Sequence, residues 1–290
     1  MPNTADIAFP TPVEKLIDGV SAMHSFAITT FDMQMAHDQI AHLQHSCVQT
    51  GKGTAMLLYG PAGCGKSTMA KQFSSRIHLA ADSDHKGPLY ITLCHTPSAQ
   101  WLADEILSRK RPLDTTLGLD EKTALCADLV KLHNASCLMI DGSEVLFNNL
   151  GQYVRALDWI HRFSRISGCA VVFIANGNLK QKAKSHLPYT DFLTEYHRID
   201  ALKWRNEIYN FQDALRAIDA ALPFLKPSCL VQTKIARRLF KETTGRLGQL
   251  MRLVRIAGWY ALFNKHTTIG RGHLKKAREK LIAPQLVGTK

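Results

Sequence analysis

The sequence predicts an α/β protein, a parallel sheet sandwiched by helices and followed by a small all-helical unit. Three observations carry this. Short apolar runs that end in polar or glycine-rich turns recur between residues 55 and 202, stretches of helical period separate them, and after Trp204 the strand pattern stops.

In chain order, the first 28 residues carry neither pattern and read as a loosely attached arm. His37, His42, His45 and Cys47 share one helical stretch. At about 100° per residue they point in several directions and do not converge on an ion. Ala55 to Tyr59 is an apolar strand that runs into a glycine-rich turn, and Lys66 to His78 carries Met69, Ala70, Phe73 and Ile77 at helical spacing. Further strands are expected at Leu89 to Leu93, Ser136 to Ile140, Ala170 to Ala175 and, weakly, Arg198 to Leu202, with helices such as Gln100 to Ser108 and Tyr153 to Ile166 between them. Past Trp204, Ile208, Phe211, Leu215, Ile218 and Leu222 recur as in an amphipathic helix that Pro223 and Pro227 end. Ser228 is a candidate N-cap for a helix through Phe240, and Leu247 to Phe263 and Leu274 to Leu281 complete the helical part. The predicted organisation is an arm over residues 1–28, an α/β domain over 29–203 and a helical domain over 204–290.

A chain of 290 residues that is 46% apolar and 21% charged has core material for one large or two modest domains. No run of about 18 apolar residues appears, and the first residues lack a basic start and an apolar stretch. A membrane span and an export signal are therefore not expected, and a cytoplasmic location is. The seven cysteines are odd in number and form no close pair, which argues for reduced thiols rather than a disulfide framework or a zinc ribbon. Charge divides sharply. Residues 1–150 hold 11 Lys and Arg against 15 Asp and Glu, whereas residues 151–290 hold 25 against 9, the asymmetry of a chain that meets a polyanion through one part.

The turn after the first strand reads Gly60-Pro61-Ala62-Gly63-Cys64-Gly65-Lys66-Ser67-Thr68, the G-x-x-x-x-G-K-[ST] pattern of a phosphate-binding loop. Its glycines let backbone N–H groups curl around phosphate, Lys66 neutralises the β- and γ-phosphates, and Ser67 ligates magnesium ion. ATP and Mg2+ are the implied cofactors. Leu138-Met139-Ile140-Asp141 is an apolar strand ending in a carboxylate, which suits Asp141 to order the magnesium ion beside Ser67. The strand ending in Asn176 places a polar group where a neighbouring strand tip faces a γ-phosphate. Where most such ATPases have Glu directly after the Asp, this chain has Gly142, and the nearest carboxylate is Glu144. Slow hydrolysis with intact binding is expected, with Glu144 as the alternative if the turn after Asp141 swings its side chain into the site.

These elements, followed by a helical lid, resemble an AAA+ ATPase. The stretches Ala221-Leu222-Pro223-Phe224-Leu225-Lys226-Pro227-Ser228, Ala236-Arg237-Arg238-Leu239 and Thr244-Gly245-Arg246-Leu247-Gly248-Gln249-Leu250 resemble, more narrowly, the TniB/TnsC family of transposition ATPases, related to the Mu B protein. The resemblance runs from Tyr59 to about Leu281. It implies an ATP-dependent regulator that assembles with copies of itself on target DNA as a ring or helical filament and recruits the transposase, with a TniQ-type target-selection protein as a further partner. It also implies that Asn176 is the first sensor, Arg246 the lid sensor, and Arg198 the closest match to an arginine reaching into a neighbouring subunit's site. Candidate DNA contacts are Arg109, Lys110 and Arg111 and, on a loop after the sensor strand, Lys180, Lys182 and Lys184. Two other readings stay open, an AAA+ adaptor of another kind such as a helicase loader or signalling switch, and a P-loop phosphotransferase.

Overall fold

Central strands of a parallel sheet are covered on both faces and must be apolar throughout, whereas edge strands tolerate polar residues. The computed structural model follows that division. It describes residues 28–80, 87–93, 96–108, 117–132, 135, 137–186, 191–204, 210–224 and 226–282, with Gly19, Ser21 and Met23 besides. Two units divide the chain, Phe31–Asp200 on one side and Ala201–Lys290 with the first thirty residues on the other.

The first unit begins with α1 (Phe31–Thr50) and continues through β1 (Ala55–Gly60), α2 (Lys66–Ala80), β2 (Leu89–Thr92), α3 (Ala99–Ser108), α4 (Leu119–Leu132) and β3 (Cys137–Asp141). A short α5 (Glu144–Asn148), α6 (Leu150–Ser167), β4 (Ala170–Asn176), α7 (Lys180–His186) and β5 (Leu193–Arg198) complete it. The five strands are all parallel in the order β2-β3-β4-β1-β5. β1 is buried along its whole length and β3 and β4 along all but their last residue, while β2 and β5 at the edges are half exposed. Strand residues alternate between faces. Ala55, Leu57 and Tyr59 therefore share a core with α3, α4 and α6, and α1 covers β1 and β4 from the other face. Five of the cysteines, Cys47, Cys64, Cys126, Cys137 and Cys169, are buried free thiols, and burial pushes Cys126 up to about 12. Among the described residues no helix is long and apolar enough to cross a membrane.

Two expectations need correction here. The last strand is Leu193–Arg198 rather than Arg198 to Leu202, because Thr194, Glu195 and His197 suit an exposed edge and dilute the apolar signal. Lys180, Lys182 and Lys184 lie on α7 and not on a loop.

The second unit contains α8 (Phe211–Ala221), α9 (Thr233–Thr243), α10 (Leu247–Phe263) and α11 (Arg271–Ile282). Asn210 and Asp213 form a reciprocal capping box at the start of α8. Trp204, Phe211 and Phe240 pack as an aromatic cluster with ring centroids 5.1 to 6.3 Å apart. Gly245 adopts φ +73°, and a Cβ there would come within 2.0 Å of the Leu202 carbonyl oxygen. Only glycine fits that approach. Ser228 does not cap α9, which starts at Thr233 after Gln232; its hydroxyl instead accepts from the Ile269 N–H at 3.1 Å. Most of the expected N-terminal arm lies outside the described residues, but Met23 is buried, and a Cβ at Gly258 would meet its Cε at 2.3 Å.

Candidate nucleotide site

The site assembles where β1, β3 and β4 end, at the carboxyl edge of the sheet where open α/β folds place ligands. Between β1 and α2 the chain turns through Gly60 (φ +146°), Gly63 (φ +78°) and Gly65 (φ +97°). A Cβ on Gly60 would stand 2.0 Å from the Ile199 carbonyl oxygen, so the loop's first glycine is set by its approach to the chain leaving β5. Lys66 opens α2 and is only 4% exposed; its ammonium donates to the Gly60 carbonyl at 2.9 Å and the Pro61 carbonyl at 2.8 Å. Burial lowers its pKa, opposed by the neighbouring Cys64, Glu144 and Asp141. Pro61, Ala62, Gly63 and Thr68 remain accessible beside it. A glycine-rich turn at a helix N-terminus, holding one buried cation on nothing stronger than two carbonyls, fits an incoming polyphosphate.

Ser67 and Asp141, 74 residues apart, meet there. The Ser67 hydroxyl donates to Asp141 Oδ1 at 3.0 Å, and the Gly142 N–H donates to the same oxygen at 3.0 Å. The Tyr90 hydroxyl donates to Oδ2. Burial and the neighbouring carboxylate both push the Tyr90 phenol up, which keeps it a donor. A hydroxyl and a carboxylate oxygen side by side are the hard donors magnesium ion takes. Tyr90 escaped the sequence reading, although its place in β2 two residues before Thr92, the register partner of Asp141, was the available signal.

Gly142 takes φ +80°, the Ser143 N–H bonds to the Ile174 carbonyl, and α5 starts at once with Glu144. That tight turn brings the Glu144 carboxylate to the tip of β4. Oε1 accepts from Asn176 Nδ2 at 2.7 Å and Oε2 from the Asn176 N–H at 3.0 Å. Lys66, Ser67, Asp141, Glu144 and Asn176 thus converge.

The other candidates have other partners, belong to the other unit or fall outside the described residues. Arg198, exposed at the end of β5, pairs with Asp200 at 2.9 Å. Arg246 belongs to the second unit, just before α10. Lys182 donates to Asn148 at 3.0 Å, and Lys180 and Lys184 lie over the Tyr196 ring at 5.6 and 5.3 Å. Arg109, Lys110 and Arg111 lie outside the described residues.

Residues 49–182 match the protein-family model described as AAA domain. No curated protein matches the chain in sequence. Among solved structures, the chain is similar to the Aeropyrum pernix ORC2 protein in its ADP form at 12% identity, covering 89% of this chain and 71% of that one with a TM-score of 0.68. It is similar to the Aeropyrum pernix ORC1 protein in complex with DNA at 16% identity, covering 90% and 69% with a TM-score of 0.60. A Drosophila ORC structure bound to DNA matches at 14% identity over 98% and 69%, with a TM-score of 0.57. At such identities the likeness establishes the fold. The five-stranded parallel sheet flanked by helices, with its helical C-terminal part, is the AAA+ fold.

Proposed function

We propose that this chain is an ATP-dependent DNA-binding regulator of transposition, which assembles with copies of itself on target DNA and recruits the transposase and a TniQ-type partner. The observation that carries the ATP-dependent part is the convergence of Lys66, Ser67, Asp141, Glu144 and Asn176 on one phosphate-binding turn. Support for the DNA part comes from the charge balance, with 25 Lys and Arg against 9 Asp and Glu over residues 151–290, and from the fold shared with the DNA-bound ORC structures. The transposition part rests on the lid sequences around Pro223, Arg237 and Gly245 that resemble the TniB/TnsC family.

In this reading Lys66 leaves the Gly60 and Pro61 carbonyls for the β- and γ-phosphates, a charge-assisted contact in place of two weaker ones. Bound magnesium ion, held through Ser67 and Asp141, would neutralise developing charge on the phosphates. Glu144 is the carboxylate that orients the attacking water. Both its oxygens are taken by Asn176, so turnover waits for that pair to open, and the slow switch follows from a latched carboxylate rather than a missing one. Arg246 acts as the lid sensor and Arg198 in a neighbouring subunit's site.

The test is an in vitro strand-transfer reaction with the cognate transposase, run with ATP, with ADP and with the Lys66→Ala variant. ATP-dependent stimulation that Lys66→Ala abolishes is the expected result. The second reading is an AAA+ adaptor of another kind, such as a helicase loader, which the fold shared with the DNA-bound ORC structures also suits. ATP-dependent helicase loading without any effect on strand transfer would establish that reading in place of the first.

A further inference from the structure

The whole excess of positive charge sits in one part of the chain. Residues 201–290 hold 18 Lys and Arg against 5 Asp and Glu, a balance of +13 in a chain whose total is +12. Within this unit α9 and α11 border a cavity of about 190 Å³. Ile235, Leu239 and Leu274 form its apolar base. Its walls carry Lys234 and Arg238 from α9 and Arg271, Lys275 and Arg278 from α11, against the single carboxylate of Glu242 among the described lining residues. Glu242 is already shared, since its Oε1 accepts from Arg238 Nε at 2.8 Å and from Arg278 at 3.0 Å. Arg278 Nε is buried in this wall without a hydrogen-bond partner, a donor whose desolvation nothing offsets. Arg271 donates to the Gln232 side chain at a long 3.4 Å.

Lys275 also lies 4.0 Å from Glu279, so five cations share two carboxylates at this groove. The excess cations repel each other, and an anion with several oxygens relieves the repulsion and satisfies the idle donor on Arg278. The apolar base adds a second requirement, a ligand with a hydrophobic edge between its anionic groups. A sugar–phosphate chain has both. We infer that the α9–α11 groove seats the phosphodiester backbone of duplex DNA, with phosphate oxygens on Arg238, Arg271 and Arg278 and a deoxyribose edge against Leu239 and Leu274. The inference rests on the DNA-binding part of the proposed function and gives it a location other than α7, whose lysines are held by Asn148 and Tyr196. Contacts of this kind hold the backbone and read no bases.

The experiment is fluorescence anisotropy of the full chain with ATP, using short labelled duplexes of two unrelated sequences over a salt series. Lys234→Gln combined with Arg271→Gln should weaken binding about tenfold on both duplexes and lower the log–log salt slope by about one for each cation removed. Lys180→Gln with Lys184→Gln should stay within about twofold of wild type, because both ammonium groups are engaged over the Tyr196 ring. Glu242→Gln removes the competing carboxylate and should strengthen binding severalfold, a gain that misfolding does not produce. If wild type binds duplex and the groove variants keep its affinity and slope, the groove assignment is overturned and DNA binding stands. If wild type binds no duplex at low salt, both fall. Loss of labelled polyglutamate binding in Lys234→Gln/Arg271→Gln, with DNA binding unchanged, would instead mark the groove as an acidic-peptide site and overturn the assignment.

Discussion

At the scale of single residues, the proposed mechanism turns on Glu144 and Tyr90. Glu144→Gln keeps the size of the side chain, replaces one of the two acceptors facing Asn176 with a donor and removes the charge proposed to orient water. Turnover should fall by about 10² to 10⁴-fold while ATP affinity stays within about threefold, measured as steady-state phosphate release beside nucleotide binding. The complementary variant is Gly142→Glu. Had the carboxylate been absent from the site, it would raise turnover; with Glu144 already on Asn176, no rise is expected. A side chain at φ +80° costs about 1–2 kcal/mol of backbone strain, although its Cβ would meet Leu93 only at an ordinary 3.8 Å, so a lower melting temperature without faster hydrolysis is the outcome that supports Glu144. Tyr90→Phe removes a donor from Asp141 Oδ2 and leaves the ring beneath Lys71, 5.4 Å away. Partners that orient a metal-ordering carboxylate commonly matter about tenfold in affinity. A Mg2+ titration of fluorescent-ATP binding should shift by about that factor, and an unchanged midpoint would show that Tyr90 does not position Asp141.

At the scale of elements, the best-read segments are those where one physical demand dominates. β1, β3 and β4 must be apolar because both of their faces are covered, and their runs at Ala55, Leu138 and Ala170 stood out for that reason. β5 was misplaced because an edge strand needs apolar residues on one face only, and Leu193 and Tyr196 are too few against Thr194, Glu195 and His197. The lysines of α7 looked like a loop because Lys180 to Lys184 show no apolar face; Ala183 alone is buried there. The phosphate-binding turn was legible from its glycines and Lys66. The meeting of Glu144 with Asn176 was not, since it depends on how sharply Gly142 turns, which neither residue encodes. Gly245 gives an element-scale prediction in the helical unit. Its φ of +73° and the 2.0 Å approach to the Leu202 carbonyl leave no room for a methyl group, and the Leu202 N–H donates to its carbonyl at 2.8 Å. Gly245→Ala should therefore cost about 2–3 kcal/mol of stability, read by denaturant melting, whereas Gly272→Ala, with open space around it, should not.

At the scale of the whole molecule, the basic excess and the phosphate-binding turn sit in different parts of the chain. Residues 1–150, which contain the phosphate-binding turn, have 15 Asp and Glu against 11 Lys and Arg, and the basic excess comes after them. A protein that grips a polyanion through one part and ATP through another gains control of the first by the second only if nucleotide changes the assembly. Negative-stain images with ATP and duplex DNA should show rings or filaments that are lost with ADP and with Lys66→Ala. Equal assembly in all three conditions would mean that nucleotide does not gate it.

The left-handed turn at Gly142 has a consequence for timing. With the carboxylate directly after Asp141, metal and water would be governed from one rigid strand, and anything that disturbed one would disturb the other. Here Asp141 ends a strand while Glu144 rides on the first turn of α5, a five-residue helix whose Asn148 is tied to Lys182 on α7. On the proposed roles, the clock that ends the bound state is thus mounted on a different part from the clamp that creates it. In that reading a push on α7 would advance or stop that clock while the clamp stayed closed.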